Sequence, residues 1–131
     1  MQIRKAGISF LKIEHICLSH IHGDHIFGIF GLLSTMGLLG RKAPLNIFAP
    51  VEFGQILEFF KTHFGEGLLY EIHFTALKME YPEVIYENRR AELLAFPLNH
   101  RINTFGFIIR EKMPQRNVDK DAISKYGLNL S

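Results

Sequence analysis

Apolar residues fall in short runs along this chain, and the spacing within the runs changes from one to the next. His15-Ile16-Cys17-Leu18-Ser19 is compact enough for a short buried strand. Asp24 then stands where an N-cap or first-turn carboxylate opens a helix, which is expected to run to about Met36. Gly37 to Pro44 reads as a loop, and Leu45-Asn46-Ile47-Phe48-Ala49 as an apolar strand closed by Pro50. Helical periodicity resumes from Val51 to Phe64, with Phe53, Ile56, Leu57, Phe60 and Phe64 on one face. The first half therefore has βαβα order. From Leu69 the texture changes: Tyr70 to Thr75, Val84 to Tyr86, Glu92 to Pro97 and Phe105 to Arg110 read as successive strands in a hairpin run or sheet edge, with a turn at Asn88-Arg89-Arg90. At the two ends, Met1 to Gly7 reads as a last helical turn or linker stopped by the glycine, and Val118 to Tyr126 as a short helix ended by Gly127. The class is α/β (α+β).

Composition narrows this picture without redirecting it. A chain of 131 residues with 47% hydrophobic and 21% charged residues makes one domain, residues 1–131, with its own core. The apolar stretch Ile26 to Leu39 is interrupted by Gly28, Gly31, Ser34, Thr35 and Gly37. It falls short of the roughly 18 apolar residues of a membrane span, so no membrane partner is expected. No signal peptide is evident after Arg4 and Lys5. The single cysteine, Cys17, has no partner for an internal disulfide and suits a reducing cytoplasm. A net charge of +2 is too mild to argue for nucleic acid. The basic pairs Arg41-Lys42 and Arg89-Arg90, with Lys112 and Arg116, read as solvated turns, and the phenylalanines have core-like spacing rather than that of a base-stacking platform.

Leu18-Ser19-His20-Ile21-His22-Gly23-Asp24-His25 carries the chemistry. Four metal-competent side chains fall within six residues. In an extended segment His20 and His22 point the same way and can close on one metal, while Asp24 and His25 turn toward a second across the flexible Gly23. Zinc suits imidazole and carboxylate ligands, and manganese or iron tolerates the same set. A first-row ion with two histidines needs a third protein ligand, and His100, at the end of the strand Phe96-Pro97-Leu98, is the candidate. His15, His63 and His73 sit in apolar patterns and read as core or surface residues. Cys17 reads as a small hydrophobe rather than a nucleophile, and no G-x-S-x-G pattern offers a competing nucleophilic site.

The motif His20-x-His22-x-Asp24-His25 resembles the hallmark of the metallo-β-lactamase superfamily. More narrowly, Ser19 through Leu33 is similar to the tRNA 3′-processing endoribonucleases of the ribonuclease Z family, as are Leu98-Asn99-His100 and Thr104-Phe105-Gly106-Phe107. The resemblance implies a partial metallo-β-lactamase αββα sandwich. It also implies a zinc-dependent phosphodiesterase acting on precursor tRNA, with His20, His22 and His100 on one zinc, Asp24 and His25 on a second, and Asp24 as proton acceptor. The family's complete site holds two zinc ions. It draws a bridging aspartate and a final histidine from a later half, whereas after His100 this chain has only Asp119 and Asp121 and no histidine. The expectation is therefore an incomplete domain with zero or one zinc. Two other readings remain open at this point: a non-catalytic, self-associating fragment, dimeric through unpaired strand edges, and another hydrolase of the superfamily such as a lactonase, thioesterase or arylsulfatase-like enzyme.

Overall fold

A computed structural model describes residues 2–113. The segment Val118 to Tyr126, read above as a helix, lies outside the described residues, as do Asp119 and Asp121. Helix α1 (Gln2–Lys5) stops at Gly7, whose φ of +68° is open to glycine without strain. A single 3₁₀ turn, Phe10–Lys12, leads into strand β1 (His15–Cys17). Helix α2 (Gly23–Leu38), strand β2 (Leu45–Pro50), helix α3 (Phe53–Phe64) and strand β3 (Ile72–Leu77) follow. Strands β4 (Glu83–Glu87), β5 (Ala91–Leu98) and β6 (Thr104–Glu111) complete the described elements.

The strands form two sheets. One is parallel in the order β1-β2-β3, and the other antiparallel in the order β4-β5-β6. The sequence reading had placed β3 in the hairpin run, and here the fold differs. Alternating residues such as Ile72 and Phe74 suit either kind of sheet, but α3 carries the chain back over the sheet, and a strand reached by such a crossover pairs in parallel.

Side-chain alternation sets the layers. Leu45, Ile47 and Ala49 of β2, Ile16 of β1 and Ile72 and Phe74 of β3 pack with Ile26, Leu33 and Met36 of α2 and with Phe53, Leu57 and Phe60 of α3. From the opposite face, Phe48, Leu77 and Cys17 meet Leu93, Ala95 and Phe105 of the second sheet. Strand β2 is thus covered on both sides, the reason it reads as a nearly continuous apolar run. The layers run helices, parallel sheet, antiparallel sheet, in keeping with part of an αββα sandwich.

Two other readings need correction. Phe64, assigned to the buried face of α3, is 64% exposed: it is the last residue of the helix and lines an open groove with Phe27 and Phe59 rather than the core. Arg41, read as part of a solvated turn, is only 2% exposed. Its guanidinium donates from Nε to Ala43 O at 2.8 Å and from Nη2 to Pro44 O at 2.7 Å, and lies over the Tyr70 ring. Among the described residues, no helix is long and apolar enough to cross a membrane.

Candidate metal centre

The site forms where two strands end. Beyond β1, the Leu18 amide donates to Phe48 O at 2.9 Å, which carries the chain on in register with β2 before it turns out through Ser19 and His20. Helix α2 begins at Gly23, and the carbonyl of His22 accepts the amides of His25 at 2.9 Å and Ile26 at 3.2 Å. Asp24 falls in the first turn, where a carboxylate interacts favourably with the positive end of the helix. A Cβ at position 23 would lie 2.6 Å from the outer edge of the Phe27 ring, so a side chain there requires that exposed ring to swing aside. From the second sheet, β5 ends at Leu98 and delivers His100 to the same place.

Three of the five sequence-predicted ligands come together. Ring nitrogens of His20, His22 and His100 all lie within 4.8 Å of one another. Ring centroids are 4.8 Å apart for His20 and His22, and 5.7 Å for His100 with each of them. A tetrahedral ion bound at about 2.0–2.1 Å by each nitrogen needs nitrogens about 3.3 Å apart, so by distance the rings have only to close inward slightly. The donor set fits a first-row metal. Asp24 and His25 sit beside this triad rather than in it. His25 packs its ring 4.1 Å from that of His20, and its Nε2 lies 3.5 Å from an Asp24 carboxylate oxygen. Among the described residues, no second group of three ligands forms around them.

His20 is the buried member of the cluster, and His22 and His100 are exposed. Burial holds the His20 pKa below its usual value, and the neighbouring His25, His22 and His100 rings push it the same way, against a weaker opposing pull from Asp24. A neutral imidazole is the form that can donate a lone pair. Its Nδ1 is hydrogen-bonded to Ser19 Oγ at 2.9 Å. At His100 the partner is instead a donor, because the Arg101 amide gives its proton to Nδ1 at 2.8 Å. With Nδ1 accepting from that amide, the neutral form of the ring carries its proton on Nε2, so presenting a lone pair to a metal means releasing the Arg101 contact.

The remaining candidates stay apart from this cluster. His15 packs its ring, tilted by 45°, 4.1 Å from that of Tyr86 and leaves a buried Nδ1 without a hydrogen-bond partner. His63 bonds Phe59 O and His73 pairs with Glu71, both at the surface. Burial pushes the Cys17 thiol up to about 11, which keeps it protonated and unreactive at neutral pH. Ser19 was not singled out from sequence; a hydroxyl directly preceding a ligand histidine was the available signal.

The sequence profile described as the metallo-beta-lactamase superfamily matches residues 1–101. Ribonuclease Z of Bacteroides thetaiotaomicron is 36% identical over 126 residues, which are 96% of this chain and 40% of that protein. Ribonuclease Z of Phocaeicola vulgatus is 39% identical over 98% of this chain and 41% of its own length, and that of Methanococcus maripaludis 32% identical over 98% and 42%. The chain thus spans about two-fifths of the length of these relatives. The crystal structure of human tRNase Z, short form, superposes with a TM-score of 0.73 at 26% identity, covering 85% of this chain and 49% of that one.

Proposed function

This chain belongs to the metallo-beta-lactamase superfamily, and from that premise we propose that it is the ligand-bearing part of a ribonuclease Z-type phosphodiesterase that matures the 3′ ends of precursor tRNA. The observation that carries the reading is the convergence of three histidine nitrogens from two separate segments within 4.8 Å. Its similarity to ribonuclease Z proteins of several organisms supports the substrate class. In this reading residues 1–131 are one incomplete domain working in the cytoplasm.

In this reading His20, His22 and His100 hold one ion, and Asp24 and His25 contribute to a second. Zinc is the proposed metal, with manganese or iron as substitutes the same donors accept. Bound metal would supply Lewis acidity toward phosphoryl oxygens and a water acidified to a pKa of about 7. The chain's own residues set the conditions for that chemistry. Burial favours the neutral form of His20, the segments after β1 and β5 bring the three rings together, and Asp24, exposed beside His25, is the proposed proton acceptor.

Metal analysis of the purified protein tests the ligand set. Zinc is expected to bind the unaltered chain and to be lost in His20→Ala, and failure to load at any zinc concentration would remove the reading. Cleavage of a 3′-extended precursor tRNA tests the activity assignment.

We further propose that the chain pairs with a second copy of itself. Exposed apolar rings of Phe27, Phe59 and Phe64 line a groove between α2 and α3 and support this.

A further inference from the structure

Ser19 is where the two ligand-bearing segments meet. Its backbone carbonyl accepts the Phe105 amide at 2.9 Å, which ties the start of β6, just after the His100 loop, to the residue just before His20. Its hydroxyl reaches His20 Nδ1 at 2.9 Å. Thr104, next to that tether, is buried and bonds the loop's own Ile102 carbonyl at 3.0 Å. The tether therefore holds the base of a short, closed loop.

The hydroxyl matters because of what imidazole requires. A neutral ring has one bare nitrogen and one N–H, and the bare nitrogen is the ligand. Ligating histidines commonly fix this choice by donating the other N–H to an acceptor. A backbone amide cannot serve, and at His100 such an amide selects the opposite tautomer. Ser19 Oγ can accept. Among the described residues it is the only hydrogen-bond partner of the His20 ring.

We propose that Ser19 is a positioning residue for the metal cluster. Its Oγ accepts the His20 Nδ1 proton and leaves Nε2 as the bare nitrogen, while its carbonyl sets the spacing between His20 and the loop that carries His100. The inference rests on reading His20, His22 and His100 as metal ligands.

Two measurements on the full chain test it, using Ser19→Ala and the hydroxyl-retaining Ser19→Thr. The first is the His20 tautomer in metal-free protein, from long-range ¹⁵N–¹H correlation spectra. Nδ1–H is expected in the unaltered chain and in Ser19→Thr, with a shift toward Nε2–H in Ser19→Ala. The second is zinc affinity by competition with a chromophoric chelator. Ser19→Ala is expected to bind about tenfold or more weakly, with Ser19→Thr close to the unaltered chain and the metal-free thermal midpoints matched. An Nε2–H tautomer in the unaltered chain overturns the proposal even if Ser19→Ala does not fold. Equal zinc affinity in Ser19→Ala overturns Ser19 alone, whereas no zinc binding by the unaltered chain removes the ligand reading and the metal role of Ser19 with it.

Discussion

His20 shows how one residue combines two demands that conflict in water. It must be buried enough to stay neutral and yet crowd three other imidazoles, and both effects hold its pKa below the usual 6.5. As pH falls through that value the unfolded chain takes up a proton that the folded His20 resists, so the unfolded state gains. Stability is full above 6.5 and declines as pH drops toward the lowered folded value. The urea midpoint of the metal-free protein is expected to fall between about pH 7 and pH 5, less steeply in His20→Ala. An identical slope in the variant would assign the effect elsewhere. Arg41 makes the opposite point about legibility. A basic residue in a Gly/Lys/Pro loop looks solvated, and nothing in the local sequence announces that the Leu11 carbonyl and the Tyr70 ring join the Ala43 and Pro44 carbonyls around it. Lysine cannot reproduce that planar fork, so Arg41→Lys is expected to cost about 2 kcal/mol or more in a denaturation experiment.

Helix α2 is the element that turns the motif into a site, and its far end is fixed as firmly as its start. The Arg41 amide reaches back to Met36 O at 3.0 Å and the Gly40 amide to Gly37 O at 2.9 Å, with Gly40 at φ +77°. This pair of bonds closes the last turn and throws the chain toward β2. Gly37 has a different job. A Cβ there would collide with the backbone carbonyl of Gly67 in the turn after α3, whereas one at Gly28 meets nothing within 4 Å. Gly37→Ala is expected to lower stability by about 1–3 kcal/mol, and Gly28→Ala to raise it by about 0.5–1 kcal/mol through helix propensity. Thermal or urea denaturation of the two variants checks the contrast, and equal effects would contradict the close approach of the α2 end to Gly67. Helix and strand identities were readable from periodicity because burial on one face repeats at 3.6 or 2 residues. The partner of β3 was not, since the same alternation serves parallel and antiparallel ladders.

At the scale of the molecule, the described residues bury one core between the helices and the parallel sheet and another between the two sheets. What they leave open is the outer side of the helices. Phe27, Phe59 and Phe64 are 74%, 59% and 64% exposed along the α2–α3 groove. Isolated exposed phenylalanines are ordinary, but several lining one groove are costly to leave in water. Under the dimer proposal, light scattering is expected to give twice the chain mass for the unaltered protein and the monomer mass for Phe59→Glu. A unaltered chain that stays monomeric at high concentration would remove self-association.

The sequence by itself determined which side chains are candidate ligands and the local geometry they share. His20, His22, Asp24 and His25 stand out because four metal-competent side chains within six residues are rare by chance, and such a turn depends only on near neighbours along the chain. Tertiary structure decided everything that requires two distant segments. It brought His100 to the first two histidines, tied Phe105 to Ser19, buried Arg41 and left Asp24 and His25 beside the triad rather than within it. The reason is physical: a ligand set and a buried charge are defined by distances across sheets, and those follow from which strands pair and which faces pack.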